Sequence, residues 1–491
     1  MSADETKEAT ETADTQRRER VKARWSMLRQ ALLGTSSASG SGGCDASDNS
    51  NGAADHSDGR FHKLSMNSFS GFQVLDRAVL PCDENDEQEN GLLSTEGNWD
   101  IVQYSYTSTE GHKVKFITRE AKEKQQTNQQ SQKSTIQSRV EALMSHRNYG
   151  VDNTGNVRVW DAEGTLAGFL LSVVLDGDDV LGGDCLSDLR KNLRSILTDT
   201  SMKDTARGRK ATCNLLELGA GQAGLAGLAM ASASNNHNCS HDTERTTQMK
   251  PLHVVLTDGH PKCVENNETC AKMIPKSEVV SRVRIEAHLL LWDSSSKGAD
   301  ACCQITKVAA NPQQVNNGAT DKGLYQLCLA SDCVHFQEFH DGLLTTIART
   351  LAVGGIALLC QPKRGTSLLN FMTLIDAVNI SQSDDFIGKS NPTIHCKDVT
   401  KCPALFQMTL HEDFYPKVSA MHKSLLLETN IANENASSNT TAAQNSTPQS
   451  SSRYDPNWHR PLLLVLQKLR PYDEDIDGEL ARQHVKTRVN F

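Results

Sequence analysis

The chain has 491 residues, 51 Lys+Arg against 60 Asp+Glu, a formal net charge of −9, and only 37 % hydrophobic and 5 % aromatic residues. Globular chains average about 45–50 % apolar, so part of this length is expected to be polar and poorly packed. That leaves fewer domains than the roughly three expected at ~150 residues each. The acidic balance argues against dedicated nucleic-acid binding, and no apolar run approaches the ~20 residues of a membrane span.

Taken in chain order, residues 1–20 lack the apolar segment of a secretory signal. Residues 17–33 place Val21, Trp25, Leu28 and Leu32 at helical spacing among Arg17, Arg18, Arg20, Lys22, Arg24 and Arg29. This predicts a basic amphipathic helix. Residues 35–60 are rich in Ser, Gly, Asn and Asp and are expected to be disordered, so 1–60 form a helix plus linker. An acidic run at 81–91 and a Gln/Lys/Ser-rich stretch at 119–137 flank residues 99–119, which read as a hairpin turning at Glu110-Gly111. Residues 61–150 are therefore expected to be a small N-terminal extension.

From 151 to 470 the pattern is that of one α/β domain. Short apolar strands are predicted at 214–218, 252–257, 283–291, 324–330 and 356–360, with helices at 224–233, 261–273, 338–352 and 367–378 between or after them. Gly354-Gly355 reads as a turn, and 405–413 with 462–469 as a closing antiparallel pair. Strand–helix alternation of this kind implies a mostly parallel sheet covered on both faces. Polar stretches at 232–250, 294–322 and 429–457 are expected to be surface-loop insertions, and 471–491 an acidic, polar tail. No repeat period is present. The 14 cysteines include no CxxC pair, and no His cluster sits at zinc-ligand spacing, so free thiols in a reducing compartment are expected. The cytoplasm is the expected location, with the nucleus as the second.

The informative motif is Glu217-Leu-Gly219-Ala220-Gly221-Gln-Ala-Gly224-Leu-Ala-Gly227. It follows a strand and opens a helix, where glycines permit close approach of backbone to a ligand and the helix N-terminus offers free N–H groups. Three readings compete. Gly219-x-Gly221-x-x-Gly224 matches a dinucleotide fingerprint. A tight strand–helix turn needs no ligand at all. Glu217, just before the first glycine, favours S-adenosylmethionine, whose amino group and sulfonium suit a site lined by carboxylates, whereas a pyrophosphate does not. Asp258 ends the next strand, where a carboxylate can take both ribose hydroxyls or cap the helix that begins at Pro261.

Six blocks occur in order: Val157-Arg158-Val159-Trp160, the glycine motif, Leu256-Thr257-Asp258-Gly259, Leu291-Trp292-Asp293, Ala330-Ser331-Asp332-Cys333 and Gln361-Pro362-Lys363-Arg364-Gly365. Together with Pro461–Leu464, Arg24-Trp25-x-x-Leu28-Arg29-Gln30 and Ser68-Phe69-x-x-Phe72, they resemble the calmodulin-lysine N-methyltransferase family. These are seven-strand, class I protein-lysine methyltransferases that depend on S-adenosylmethionine. The resemblance covers most of residues 20–34 and 61–470 apart from the insertions.

The resemblance implies a Rossmann-like seven-stranded methyltransferase sheet with an antiparallel closing strand. It also implies roles. Trp160 packs near the methionine end of the cofactor. Glu217, Gly219, Ala220 and Gly221 line its amino-acid moiety, and Asp258 binds the ribose. Trp292 lies beside the adenine, Asp293 accepts from the adenine amine, and Ser331 completes the cofactor set. For Trp160 and Trp292 the competing reading is a core tryptophan.

Asp332 matches the acid of the family's Asp-x-x-Tyr/Phe motif, which points to where the substrate lysine enters, and would orient the amine. The aromatic position of that motif is His335 here, with Phe336 beside it. An imidazole can pack against the lysine stem or be an ordinary loop histidine, and this departure bears on how many methyl groups, up to three, are added. The implied partner is calmodulin, an acidic protein that the basic residues at 17–29 and Lys113, Lys115 and Arg119 could meet. A monomer that needs no metal is expected. The alternatives are a methyltransferase for a lysine of a chaperone or elongation factor, and a catalytically silent cofactor-binding protein. Asp473-x-Asp475-x-Asp477-Gly478 copies half a calcium loop, but the twelfth position is His484 and no helix pattern precedes it, so it reads as part of the tail.

Overall fold

The computed structural model describes residues 71–81, 99–121, 159–176, 184–199, 212–236, 248–274, 282–309, 324–380, 404–438, 454–474, 476–478 and 481. The expected basic helix at 17–33, the linker at 35–60, most of the acidic run at 81–91, most of 119–137, and Ser68, Phe69, Val157 and Arg158 lie outside the described residues.

The chain begins with β1 (Asp76–Val79), β2 (Trp99–Thr107) and β3 (Lys113–Ala121), followed by α1 (Asp161–Leu175), α2 (Asp184–Leu197) and β4 (Thr198–Asp199). Next come β5 (Cys213–Leu218), α3 (Leu225–Asn236), β6 (Gln248–Met249), β7 (Leu252–Asp258), α4 (Pro261–Met273), β8 (Val283–Leu289), α5 (Ser296–Ala309) and β9 (Tyr325–Ser331). A 3-10 turn at Gln337–Phe339 leads into α6 (His340–Thr350), β10 (Leu351–Gln361), α7 (Ser367–Ile380), β11 (Phe406–His411), α8 (Pro416–Ser438), α9 (Pro456–His459) and β12 (Leu462–Lys468).

Seven strands form one sheet in the order β11-β12-β10-β9-β5-β7-β8. β8, β7, β5, β9 and β10 are mutually parallel, and β12 runs antiparallel between β10 and β11. This is the expected Rossmann-like, mostly parallel seven-stranded sheet with its antiparallel closing strand. The alternation of side chains along each strand splits the core in two. Leu215, Val254, Leu256, Leu327, Leu329 and Leu358 face α1 and α3, and Leu216, Val255, Cys328, Ala330, Ala357 and Leu359 face α6 and α7. Both faces are covered, which is why β7 is buried at every position.

The hairpin is where the sequence places it, with Gly111 at φ +86° after Glu110, and β1 adds a third, antiparallel strand that alternation did not reveal. It is tied to the main domain at both ends. Tyr106 Oη donates to Asp176 at 2.6 Å. At its far end, Asn266 Nδ2 donates to Arg119 O at 2.8 Å, and Ala121 N donates to Gln222 Oε1 at 3.2 Å.

Several expected loops are shorter than the sequence suggests. α3 extends through 232–236, and α5 occupies much of the polar stretch at 294–322 because Gly298, Cys302, Ile305 and Ala309 line one buried face. α8 runs on to Ser438, into the expected insertion at 429–457. Gly354-Gly355 sits within β10, where the register with β9 shifts between Leu351 and Ile356, rather than in a turn outside it. The described cysteines are free thiols. Among the described residues no helix is long and apolar enough to cross a membrane.

The start of the expected tail packs on the domain. Asp477 is fully buried and accepts from Arg470 Nη1 and Nη2 at 2.8 and 2.7 Å and from Asp473 N at 2.9 Å. The half calcium loop is thus spent on an internal ion pair. Replacing Arg470 with alanine is expected to strand the Asp477 charge and cost about 3–5 kcal/mol. Urea unfolding reads this directly, and a loss under about 1 kcal/mol would contradict it.

Candidate functional site

The chain leaves β5 toward β7 and β8 on one side, then returns to β9 and β10 on the other, so the strand order reverses at β5 and β9. In open α/β sheets this reversal opens a crevice at the carboxyl ends of the strands, where ligands bind. The ends of β5, β7 and β9 bring Glu217, Asp258, Ser331 and Asp332 to that crevice.

The glycine loop between β5 and α3 is held from beneath. Gly219, Gly221 and Gly224 have φ of +62°, +58° and +53°. Ala220 N donates to Thr257 O at 2.9 Å. Gly221 N donates to Asp258 Oδ2 at 2.9 Å, and Asn267 Nδ2 donates to Gly221 O at 3.0 Å. Asn266 Nδ2 donates to Gln222 O at 2.5 Å. Side chains of β7 and α4 thus fix a backbone that would otherwise be free. A Cβ on Gly219 would stand 2.8 Å from Cys333 Sγ and 3.0 Å from Trp292 Cζ2. Trp292 therefore covers the first glycine, as a wall of the crevice.

Glu217 is 1 % exposed, and its Oε2 accepts from Gly227 N in the first turn of α3 at 2.7 Å. Burial pushes its carboxyl up to about 7, against the opposing pull of the Gly227 N–H. Asp258 Oδ1 accepts from His260 N at 2.7 Å. Burial pushes this carboxyl up to about 6, and the His260 and Gly221 N–H groups hold it down. The cap of α4 is not Asp258 but His260, whose Nδ1 accepts from Lys262 N at 3.2 Å. The Cys263 thiol and the Gly259 N–H also hydrogen-bond the Asp258 carboxyl.

Asp293 follows Trp292 at the start of the turn into α5. Its two oxygens accept from Ser295 N and Ser295 Oγ, both at 2.8 Å, in the turn that opens α5. Trp292 faces the glycine loop. Ser331 Oγ is buried at the end of β9 without a partner.

Asp332 stands at φ +53°, and its N donates to Cys360 O at 2.9 Å. Both of its oxygens are taken by Arg364, through Nε at 3.2 Å and through Nη2. Arg364 is also left-handed, at φ +50°, and its N donates to Asn457 O at 2.9 Å. Its guanidinium lies over Trp160 at 5.5 Å and Trp458 at 5.7 Å. The side chains of Arg364 and Asp332 are 10 % and 9 % exposed. Breaking a buried pair of this kind costs about 3–5 kcal/mol, and each aromatic contact adds roughly 0.5–2 kcal/mol. Arg364 is therefore a fixture of the site. Asp332 is thus an acid neutralised by Arg364, with lone pairs to spare.

His335 packs against Phe336 at 4.5 Å and against Trp458 at 6.4 Å, edge-on. Phe336 is buried against Phe339, so His335, not Phe336, faces the tryptophan cluster. Ser367 Oγ donates to the carbonyls of Val334 and His335, and Val334 N donates to Gln361 Oε1 at 3.1 Å, which fixes this turn.

Three site residues escaped the sequence reading. Trp458 comes from α9, one short helix before the closing strand. Arg364 was read only as part of a block. Glu163 lies in the first turn of α1, 3 % exposed, where its Oε1 accepts from Trp160 N at 3.0 Å and its Oε2 is buried without a partner. Burial, together with the charges of Glu217, Glu120 and Asp332, pushes its carboxyl well above the ordinary range. An acid three residues after a helix start is a capping signal that the sequence does carry.

No protein-family model matches the chain. Calmodulin-lysine N-methyltransferase of Arabidopsis thaliana is 26 % identical over 234 residues, covering 47 % of this chain and 53 % of that protein. The chain thus spans about half the length of the curated relative it matches, and the resemblance read from the motifs is borne out. Among solved structures, the chain is similar to phosphoethanolamine N-methyltransferase 2 of Haemonchus contortus in complex with S-adenosyl-L-methionine. The identity is 13 %, over 76 % of this chain and 70 % of that one, with a TM-score of 0.26. It is also similar to a TehB-like SAM-dependent methyltransferase from Corynebacterium glutamicum, at 13 % identity over 52 % and 80 %, with a TM-score of 0.23. At such scores the fold assignment rests on the sheet order of this chain.

Proposed function

We propose that this chain is an S-adenosylmethionine-dependent methyltransferase whose acceptor is the ε-amine of a lysine in calmodulin. The observation that carries the cofactor is the crevice itself. A glycine loop with three left-handed residues lies at the sheet's reversal point, ringed by the carboxyl groups of Glu217, Asp258 and Glu163. Three buried acids suit a ligand with a sulfonium, an amine and ribose hydroxyls, and they oppose a pyrophosphate. Glu217, Glu163 and Trp160 would hold the amino-acid end, Asp258 the ribose, and Trp292 with Ser331 the base end. When bound, this cofactor supplies an electrophilic methyl: the amine lone pair forms the N–C bond, the C–S pair stays on sulfur, and one proton leaves nitrogen.

The chain's own residues do the rest. Trp160, Trp458 and His335 exclude water from the acceptor nitrogen, which must be uncharged to attack. Asp332 offers a lone pair that orients its N–H. Holding nucleophile and methyl in line is most of the rate enhancement. Support for calmodulin comes from the named relative and from the blocks around the core, above all Gln361–Gly365.

The carboxyl shifts give a test with a sign. Asp258 and Glu217 ionise near pH 6 and 7, so affinity for the cationic cofactor is expected to rise roughly tenfold or more from pH 5.5 to 8. Binding at pH 6.5 should release protons. Titration calorimetry in buffers of different ionisation enthalpy reads both. Tight binding of a dinucleotide with proton uptake, and none of S-adenosylmethionine, would contradict the proposal.

A further inference from the structure

Arg364 is the most firmly held charge at the acceptor side of the crevice, and the mechanism above gives it no task. We propose that Arg364 keeps the acceptor amine uncharged, acting as a positioning residue that neutralises Asp332 and sets a fixed positive charge beside the incoming nitrogen. This rests on the lysine-methyltransferase reading.

A buried carboxylate without a counter-ion would bind the substrate as ammonium, which has no lone pair and cannot attack. With Arg364 across both oxygens, Asp332 accepts an N–H from the amine without adding net negative charge. An amine hydrogen-bonded there stands within about 5–6 Å of the guanidinium, where a like charge disfavours protonation. The amine sheds its proton to solvent; its lone pair then forms the N–C bond while the C–S pair goes to sulfur. Trp160 and Trp458 serve twice, since their faces clamp the guanidinium and their edges wall the acceptor. The left-handed φ of both Asp332 and Arg364 places rare backbone conformations where they bring the two charges together, as strained residues at working sites often do.

Other titratable groups lie around this pair. Glu163 on α1 and Cys360 on β10 act on Asp332. His335 and Cys333 come from the turn after β9, Asp455 precedes α9 and His459 lies in it, and Lys363, beside Arg364, points away to Glu412 at 3.8 Å. Burial holds Glu163 and Cys360 toward their neutral forms. His335, packed between Phe336 and Trp458, is controlled for directly.

The test measures methyl transfer to calmodulin at saturating S-adenosylmethionine from pH 6 to 10, with cofactor affinity by calorimetry. It uses the wild type, Arg364→Gln, Arg364→Lys, His335→Phe and the double variant Asp332→Asn/Arg364→Gln. Arg364→Gln is expected to move the acid limb up by about one to two pH units. Its rate should fall roughly tenfold or more at pH 7.5 and recover toward pH 10, with cofactor affinity within about threefold of wild type. Arg364→Lys should keep most of the wild-type limb. The double variant removes both charges, so its limb should return toward wild type even if Arg364→Gln alone folds poorly. The limb of His335→Phe should stay in place. Equal loss at every pH in Arg364→Gln, or a double variant whose limb is displaced as far as the single, overturns the inference while leaving the methyltransferase reading intact. A wild type that binds cofactor and methylates no lysine overturns the reading and the inference together.

Discussion

Replacing Gly219 with alanine is expected to weaken S-adenosylmethionine binding at least a hundredfold. The added methyl would lie 2.8 Å from Cys333 Sγ and 3.0–3.1 Å from two Trp292 ring atoms. Neither neighbour yields easily. Cys333 Sγ is hydrogen-bonded to Leu218 O and Ser331 O, and Trp292 is packed on the core that faces α6. The backbone adds its own penalty, since φ is +62° and a β-carbon in the left-handed region costs about 1 kcal/mol. The loop must then shift in the crevice where the ligand is to sit. Gly354 is the matched control: it has φ +79° and no atom within 4 Å of its added carbon. Gly354→Ala should cost about 1 kcal/mol of stability and leave binding untouched. Calorimetry on both variants separates the two effects, and a Gly219→Ala affinity within threefold of wild type would contradict the account.

Glu217→Gln is expected to stabilise the free protein above pH 7 while impairing cofactor binding. Glutamine keeps an oxygen for Gly227 N–H and removes an ionisable group from a dry site. Below about pH 4.5 the Glu217 side chain is protonated in both folded and unfolded chains, and its ionisation costs nothing. Between about 4.5 and 7 the unfolded chain gives up the proton while the folded chain keeps it, so stability falls as pH rises. Above 7 the penalty is complete, on the order of 3 kcal/mol. Asp258 adds the same sign between 3.8 and about 6. Urea midpoints of wild type and variant should coincide near pH 4.5 and separate toward pH 8, the variant being higher. A variant that is less stable at pH 8 than at pH 5, relative to wild type, would refute the burial argument. The protein thus carries acids that destabilise it when empty, as expected where a cationic ligand relieves them.

Much of this architecture is legible in the sequence because buried parallel strands are continuous apolar runs and the motifs sit at their ends. Residues 214–218, 252–257 and 324–330 became β5, β7 and β9 within a residue or two, and the glycine loop, Asp258 and Trp292 meet in the crevice as expected. What was not legible has identifiable causes. α1 is buried on nearly every side, so it shows no polar face and no helical stripe to read. α5 carries its stripe in small residues, Gly298, Cys302, Ile305 and Ala309, inside a segment whose overall polarity suggested a loop. Lys363 and Arg364 are adjacent cations, and only the fold sends the first outward to Glu412 and the second inward to Asp332. Trp458 reaches the site across more than a hundred residues of chain from Asp332, a contact that no local pattern encodes.

We propose methyl transfer to a lysine of calmodulin from a cofactor held at Asp258 and the glycine loop. Its most direct test incubates the purified protein with labelled S-adenosylmethionine and unmethylated calmodulin, reads intact mass, and runs Asp258→Ala in parallel. Calmodulin mass steps of one to three methyl groups that vanish in the variant are expected. Unchanged calmodulin mass with a competent, cofactor-bound enzyme would contradict it.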